Sequence, residues 1–128
     1  MKIMKQTLFI LIIAFLFTAC GGKADSLKVT DPTKPIQVNA GDEFQILIEA
    51  NATTGYHWEI IGELDKVEFV GNDYTSTSEA GLVGGGGVEL WTFKAINAGE
   101  TQVFFGYFPP SNDPTDPQQI TTFTVIVK

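Results

Sequence analysis

The sequence E-F-Q-I-L-I-E-A-N-A-T-T-G-Y-H-W-E-I-I, residues 43–61, contains two strand patterns separated by a short polar turn. Between Phe44 and Ala50, apolar residues alternate with mostly polar ones, which is the period of a strand that buries one face. After the turn, residues 56–61 resume an extended run of aromatic and β-branched side chains. The stretch therefore predicts two neighbouring β-strands joined by a tight loop.

This connection, called the first loop, combines small residues with stiff ones. Asparagine can bond its own backbone, threonine has a restricted χ1, and glycine reaches the positive φ that a tight reversal often needs. A loop of this kind loses little conformational entropy when a partner binds it. The same residue types also form ordinary turns, and residues 51–53 fit a glycosylation sequon. The first loop consists of Asn51, Ala52, Thr53, Thr54, Gly55 and Tyr56.

The rest of the chain after residue 35 continues the same strand pattern. Short runs of β-branched and aromatic residues are separated by Gly, Pro, Asn and Asp, and no stretch keeps a helical period over several turns. Apolar side chains alternate with other residues around Trp91 and Phe123, where we expect core packing. The sequence predicts an all-β sandwich of about seven strands, at residues 36–38, 43–50, 56–61, 67–70, 88–96, 101–107 and 119–127.

The N-terminus has the features of a secretory signal. Residues 1–19 carry two lysines ahead of an apolar run that is too short to span a bilayer comfortably, and small residues precede Cys20. The stretch L-F-T-A-C resembles a bacterial lipobox, which implies cleavage before Cys20 and a lipid on its thiol. We expect a signal peptide at 1–19, a lipidated tether at 20–34, one domain at 35–128, and a place in the cell envelope; the alternative is a conventional signal peptide with a chance cysteine.

The charge of the mature chain excludes several kinds of partner. Removal of residues 1–19 leaves 109 residues with six lysines against 15 acidic residues, a net charge of −9. The chain contains no arginine, so the bidentate fork that usually binds phosphate is absent. Such a surface disfavours nucleic acid and anionic lipid, and we expect membrane attachment only through the lipid on Cys20.

The residues available for catalysis are few. The chain has one histidine, His57, and its one cysteine is used by the expected anchor. No serine stands in a G-x-S-x-G turn, and one histidine without a free thiol gives no zinc site. His57 lies in a strand beside Trp58 and Glu59, a setting typical of a surface or cross-strand histidine. We therefore predict that the protein is not an enzyme and uses no cofactor or metal.

Two further loops have unusual compositions. Residues 84–87 form the glycine loop, which consists of Gly84, Gly85, Gly86 and Gly87. Four consecutive glycines are costly to order, and they suit either a flexible linker or a surface that another backbone approaches closely. The third loop, residues 107–111, begins with Tyr107, Phe108, Pro109 and Pro110, whose rings suit an apolar contact with little loss of entropy.

Together these loops resemble the signatures of the chagasin-like inhibitors of papain-like cysteine peptidases. The first loop is similar to that family's N-P-T-T-G-[YF] motif, with Ala52 at the proline. The glycine loop and the aromatic strand after it are similar to the family's G-x-G-G motif. The family's Arg-Pro-aromatic loop aligns with residues 109–111, where only the proline remains.

The resemblance implies an immunoglobulin-like sandwich that works as a monomer and plugs a peptidase cleft reversibly with three loops. Thr53 and Thr54 would enter the cleft, the glycine loop would lie along one wall, and Pro110 with Tyr107 or Phe108 would touch the other. An alternative is a surface-displayed adhesion or glycan-binding module with exposed rings at Trp58, Tyr74 and Tyr107. A structural lipoprotein without a soluble ligand is a third reading.

Overall fold

The computed structural model describes residues 25–76, 86–111, 113 and 115–128. These residues form eight strands and one short 3₁₀ helix. The strands are β1 (Leu27–Val29), β2 (Ile36–Val38), β3 (Glu43–Ala50), β4 (His57–Ile61), β5 (Val67–Ser76), β6 (Gly87–Ala95), β7 (Gly99–Phe108) and β8 (Gln119–Val127), and the helix at Ala52–Thr54 lies in the first loop.

The strands form two four-stranded sheets. One sheet has the order β1-β3-β6-β5 and the other has the order β2-β8-β7-β4. With the strands lettered A, A′ and B to G along the chain, these orders become A-B-E-D and A′-G-F-C, which is the arrangement of an immunoglobulin-like sandwich. The predicted fold class is confirmed, with one strand more than the sequence pattern indicated.

The core consists of aromatic and β-branched side chains from the facing sides of both sheets. Phe105 lies at its centre and makes edge-on ring contacts with Trp91, Phe93 and Phe123, at centroid distances of 5.2, 6.2 and 5.9 Å. The alternating residues of β6 and β8 that the sequence assigns to the core are buried. The described residues contain no buried polar or charged side chain, so the hydrophobic effect supplies the main stabilisation of the sandwich.

The largest differences from the predicted strands lie at sheet edges. Residues 27–29, expected in the tether, pair with β3 in parallel, and β5 continues to Ser76 instead of ending at residue 70. In β5 a register shift between Phe69 and Gly71 interrupts the alternation of side chains. Period-two patterns are weak in a three-residue strand and in a strand with a bulge, because neither presents a regular buried face.

The directions of the strands place three connections at one end of the sandwich. In one sheet β3 and β5 end where β6 begins, and in the other β4 and β8 begin where β7 ends, because each of these pairs is antiparallel. The first loop joins the end of β3 to the start of β4, so these ends of the two sheets lie together. These connections contain the first loop, the glycine loop and the third loop, and their end of the sandwich is called the loop end. Within the described ranges, no helix is long and apolar enough to cross a membrane.

Candidate functional site

The first loop is held in one conformation by hydrogen bonds among its own residues. Oδ1 of Asn51 accepts from the backbone N–H of Thr53 at 3.2 Å and from its hydroxyl at 2.6 Å. The hydroxyl of Thr54 donates to the carbonyl oxygen of Asn51 at 2.8 Å, and the N–H of Tyr56 donates to that hydroxyl at 3.3 Å. Asn51 is thus the N-cap of the 3₁₀ turn, while Thr53 and Thr54 stay exposed.

Gly55 ends the turn in a conformation that only glycine adopts readily. Its φ is 77°, in the left-handed region, and its N–H donates to the carbonyl oxygen of Ala52 at 3.4 Å. A Cβ at this position would come within 2.9 Å of the Cβ of Pro110. The first and third loops are therefore in direct contact, and the contact leaves no room for a side chain at residue 55.

The described part of the glycine loop lies on the other side of the first loop. Gly87 pairs with Ala50, the last residue of β3, and a Cβ on Gly86 would lie 3.6 Å from the carbonyl oxygen of Ala50. A Cβ on Gly87 would lie 2.6 Å from the carbonyl oxygen of Thr75 and would overlap the ring of Tyr74. Gly87 is needed by the fold itself, whereas Gly86 has room for a side chain.

Tyr107, near the end of β7, packs against the last residue of the first loop, Tyr56. Its ring stacks on Tyr56 with centroids 5.2 Å apart and is tilted against Trp58 at 4.7 Å. Trp58 in turn donates its indole N–H to the carbonyl oxygen of Glu49 at 3.0 Å, which ties β4 to β3 across the two sheets. The rings of Tyr56, Tyr107 and Trp58 thus link the first loop to the core.

These elements enclose a groove of about 450 Å³. It brings together the N-cap of the first loop, the described glycines of the glycine loop and one ring of the third loop. The lining residues are Glu49, Ala50, Asn51, Gly86, Gly87, Val88 and Tyr107. The described residues of the three loops thus lie together around this groove.

Phe108 and Pro109 lie on a different face from Tyr107. The ring of Phe108 stacks on His57 with centroids 6.0 Å apart, and both residues line a shallow depression with Pro109. Nε2 of His57 is 2.9 Å from Oε1 of Glu59, and both side chains are exposed. His57 is thus an exposed residue that contacts Phe108 on the neighbouring strand, as the sequence predicts.

Glu89 lies beside the groove on the inward-facing row of β6. Burial raises the pKa of its carboxyl group, although the indole N–H of Trp91, which donates to Oε2 at 3.0 Å, and the side chain of Asn72 favour the charged form. Sequence reasoning did not single out this residue. The sequence signal that indicates it is an acidic residue two positions before Trp91, on the face of β6 that is buried.

Trp58 does not provide the exposed stacking face that the adhesion or glycan-binding alternative requires. Its side chain is 7% exposed because Tyr107 covers one face and the core covers the other. Tyr107 is half-buried for the same reason, and of the three rings only Tyr74, at 42%, is exposed. The row of solvent-facing aromatic rings that this alternative needs is not formed.

Three predicted site residues, Gly84, Gly85 and Cys20, lie outside the described residues. Of the others, Asn51, Gly55, Tyr107 and Pro110 are brought together, whereas Phe108 and Pro109 face away from the first loop. The described ranges contain no group of three or more His, Cys, Asp or Glu residues suited to hold a metal ion.

Several solved structures share this fold. The cysteine protease inhibitor EhICP2 from Entamoeba histolytica is 21% identical, with a TM-score of 0.66 over 80% of this chain and 95% of its own. PbICP-C, solved in complex with falcipain-2, is 20% identical, with a TM-score of 0.53 over 82% and 100%. Leishmania mexicana ICP is 26% identical, with a TM-score of 0.52 over 78% and 96%.

The sequence itself gives a family assignment. No curated protein matches the chain at a significant level. The model of the chagasin family of peptidase inhibitors, I42, matches residues 37–127, which include nearly all of the sandwich and all three loops. The chain therefore belongs to the chagasin family of peptidase inhibitors, I42.

Proposed function

We propose that the protein is a reversible, tight-binding inhibitor of papain-like cysteine peptidases and is not itself an enzyme. The observation that carries this proposal is the position of the first loop, whose Asn51 lines one groove with Gly86 and Gly87 and whose Gly55 lies against Pro110. The family assignment and the solved complex of PbICP-C with falcipain-2 support the same function.

In this mechanism the inhibitor occupies the cleft without chemistry. Thr53 and Thr54 are exposed on a turn whose backbone is already fixed, so binding to a cleft costs little conformational entropy. The glycine loop lets a wall of the peptidase approach the backbone closely because no side chain intervenes. Phe108 and His57 present the ring surface on the third-loop side, where the family's Arg-Pro-aromatic sequence is replaced.

Titration of papain with the fragment from residue 21 onward, which keeps every described residue, tests the proposal. We expect stoichiometric loss of activity that returns on dilution. Thr53→Glu should weaken inhibition by at least tenfold, because it places a charge and a longer side chain on the turn that enters the cleft. Unchanged papain activity at micromolar inhibitor would contradict the proposed function.

A matched control exists on the connection between β1 and β2. There Oδ1 of Asp31 accepts from the N–H and the hydroxyl of Thr33 at 2.9 and 2.6 Å, which are the same two bonds that Asn51 accepts from Thr53. Thr33→Glu should perturb its turn to the same extent and leave inhibition unchanged. If both variants weaken inhibition equally, the first loop has no special role.

We also propose that the protein is a monomer held in the cell envelope by a lipid on Cys20. The lipobox-like sequence before this residue and the polar stretch after it support the proposal. Cys20→Ala should move the protein from the membrane fraction to the soluble fraction or stall its processing, and labelling with a fatty-acid analogue should disappear. Cys20→Ala that stays fully membrane-bound would refute the anchor.

A further inference from the structure

Neighbouring residues at the end of β7 point to opposite sides of the sheet. Phe108 pairs with His57 on the outer face, whereas Tyr107 pairs with Trp58 and faces the interior. The ring of Tyr107 is held between Trp58 and Tyr56, the last residue of the first loop. Tyr107 is therefore occupied by contacts within the inhibitor.

Pro110 makes a second contact of the same kind. The gap of 2.9 Å between its Cβ and the Cβ position of residue 55 means that the proline ring lies directly on the backbone of Gly55. Proline is suited to this role because its fixed φ keeps the ring in place without a further loss of entropy. Tyr107 and Pro110 thus touch the last two residues of the first loop, Gly55 and Tyr56.

We propose that Tyr107 and Pro110 are positioning residues, which brace the first loop through contacts within the inhibitor and do not contact the peptidase. This inference rests on the proposed function. It divides the third loop into a bracing part, Tyr107 and Pro110, and a surface part, Phe108 and Pro109. The proline that this chain retains from the family's Arg-Pro-aromatic sequence is the one that lies on Gly55.

The brace matters because binding requires the first loop in one conformation. When a binding-competent conformation is only partly populated, the apparent dissociation constant rises in inverse proportion to that population. The hydrogen bonds of Asn51 fix the start of the loop, and Tyr107 with Pro110 fixes its end. Loss of the brace should weaken inhibition although no contact with the peptidase is lost.

A double-mutant cycle separates bracing from direct contact. We expect Tyr107→Ala to weaken papain inhibition roughly tenfold, and Tyr107→Phe, which keeps both ring contacts, to stay near wild type. In a background where Thr53→Gly and Thr54→Gly remove the side chains that enter the cleft, Tyr107→Ala should add less than about twofold. The same roughly tenfold loss in both backgrounds would mean that Tyr107 touches the peptidase, and the proposal would be wrong.

Phe108→Ala is the control for the cycle, because this neighbour does not touch the first loop. Its effect, whatever its size, should be equal in both backgrounds. Pro110→Gly should behave as Tyr107→Ala does, since it removes the ring from Gly55. If Pro110→Gly and Tyr107→Ala leave inhibition unchanged, neither residue positions the loop.

Amide hydrogen exchange tests the brace without any peptidase. The N–H groups of Thr54 and Gly55 donate within the first loop at 3.2 and 3.4 Å. In free Tyr107→Ala these two amides should exchange roughly tenfold faster, while amides in the centres of β3 and β7 keep their wild-type rates. Unchanged exchange at Thr54 and Gly55 overturns the proposal even if papain is inhibited. Faster exchange supports it even if papain is not the target.

Discussion

At the scale of single residues, Asn51 provides the acceptor that shapes the first loop. Asn51→Ala removes the oxygen that binds both the N–H and the hydroxyl of Thr53. Loss of such a cap costs about 1 kcal/mol, so we expect roughly fivefold weaker inhibition of papain. The measurement is the inhibition constant of folded protein, with the melting temperature recorded beside it.

Asp31→Ala is the control for Asn51→Ala, because it removes the same pair of acceptor contacts from Thr33 in a different turn. We expect a comparable change in melting temperature and no change in the inhibition constant. Inhibition that falls to the same degree in both variants would show that general stability, and not the shape of the first loop, sets the affinity.

Glu89 illustrates the cost of a carboxylate on an inward-facing row. Because burial raises the pKa of Glu89, its folded form holds a proton more tightly than its unfolded form, and its contribution to stability falls as pH rises through that pKa. Glu89→Gln keeps an acceptor for the indole of Trp91 but has no charge to desolvate. We expect it to be more stable than wild type at pH 7.

Urea unfolding at pH 7 and at pH 4 checks this prediction. The advantage of Glu89→Gln should shrink as the pH falls below the raised pKa, because the wild-type carboxyl group then becomes neutral. Glu100→Gln removes one charge from an exposed position and should show no such advantage at pH 7. A Glu89→Gln variant that is less stable at both pH values would show that the carboxylate is favoured where it lies.

At the scale of elements, two adjacent glycines at the start of β6 have different roles. Gly86 has space for a side chain, and its φ lies outside the left-handed region, so Gly86→Val should fold normally. The added side chain should still obstruct a peptidase wall and weaken inhibition, on the order of tenfold. Gly87→Val meets Tyr74 and the carbonyl oxygen of Thr75 and should lower the melting temperature.

Circular dichroism melts and papain titration of both variants distinguish these roles. We expect weak inhibition with a normal melting temperature for Gly86→Val. For Gly87→Val we expect a melting temperature several degrees lower, which corresponds to about 1 to 3 kcal/mol of overpacking. Full inhibition by Gly86→Val would mean that the glycine loop does not face the peptidase.

At the scale of the whole molecule, the charges are unevenly distributed. Of the five described lysines, Lys66, Lys94 and Lys128 lie at the end opposite the loop end, and Lys34 is paired with Asp31 at 3.5 Å. The fifth, Lys28, is in register with Gln45 near the start of β3. The described acidic residues near the loop end are Glu49, Glu59, Asp73, Glu89, Asp113 and Asp116.

This distribution predicts faster association with peptidases whose cleft is rimmed by basic residues. Complementary fields raise association rates by about tenfold or more at low ionic strength, and salt screens them. The double variant Glu49→Lys and Glu59→Lys should therefore associate more slowly with such a peptidase and lose most of its salt dependence. Stopped-flow association rates across a range of salt concentrations provide the measurement.

The control variant reverses two charges at the opposite end, with Glu63→Lys and Glu100→Lys. It has the same net charge as the loop-end variant, so a difference between the two isolates the position of the charges. We expect its association rate to remain close to that of wild type. Equal slowing by both variants would show that net charge alone governs the encounter.

The sequence by itself determined the fold class, the core faces of the long strands and the three loops. Strands β2, β3 and β8 have their predicted bounds, because alternation of apolar and polar residues is a local signal that a regular half-buried strand must carry. The first loop is equally local, since Asn51 bonds to Thr53 only two residues away. Family resemblance depended on these same local stretches.

Tertiary structure decided what the residues of those loops contact. Which of Tyr107 and Phe108 faces the interior depends on the register of β7 against β4, and a shift of one residue would exchange them. The contact of Pro110 with Gly55 follows from the pairing of β4 with β7, and the burial of Trp58 arises only when the two sheets pack. Sequence patterns report the period of each strand, but they do not report its neighbours, because pairing and packing are set by the sandwich as a whole.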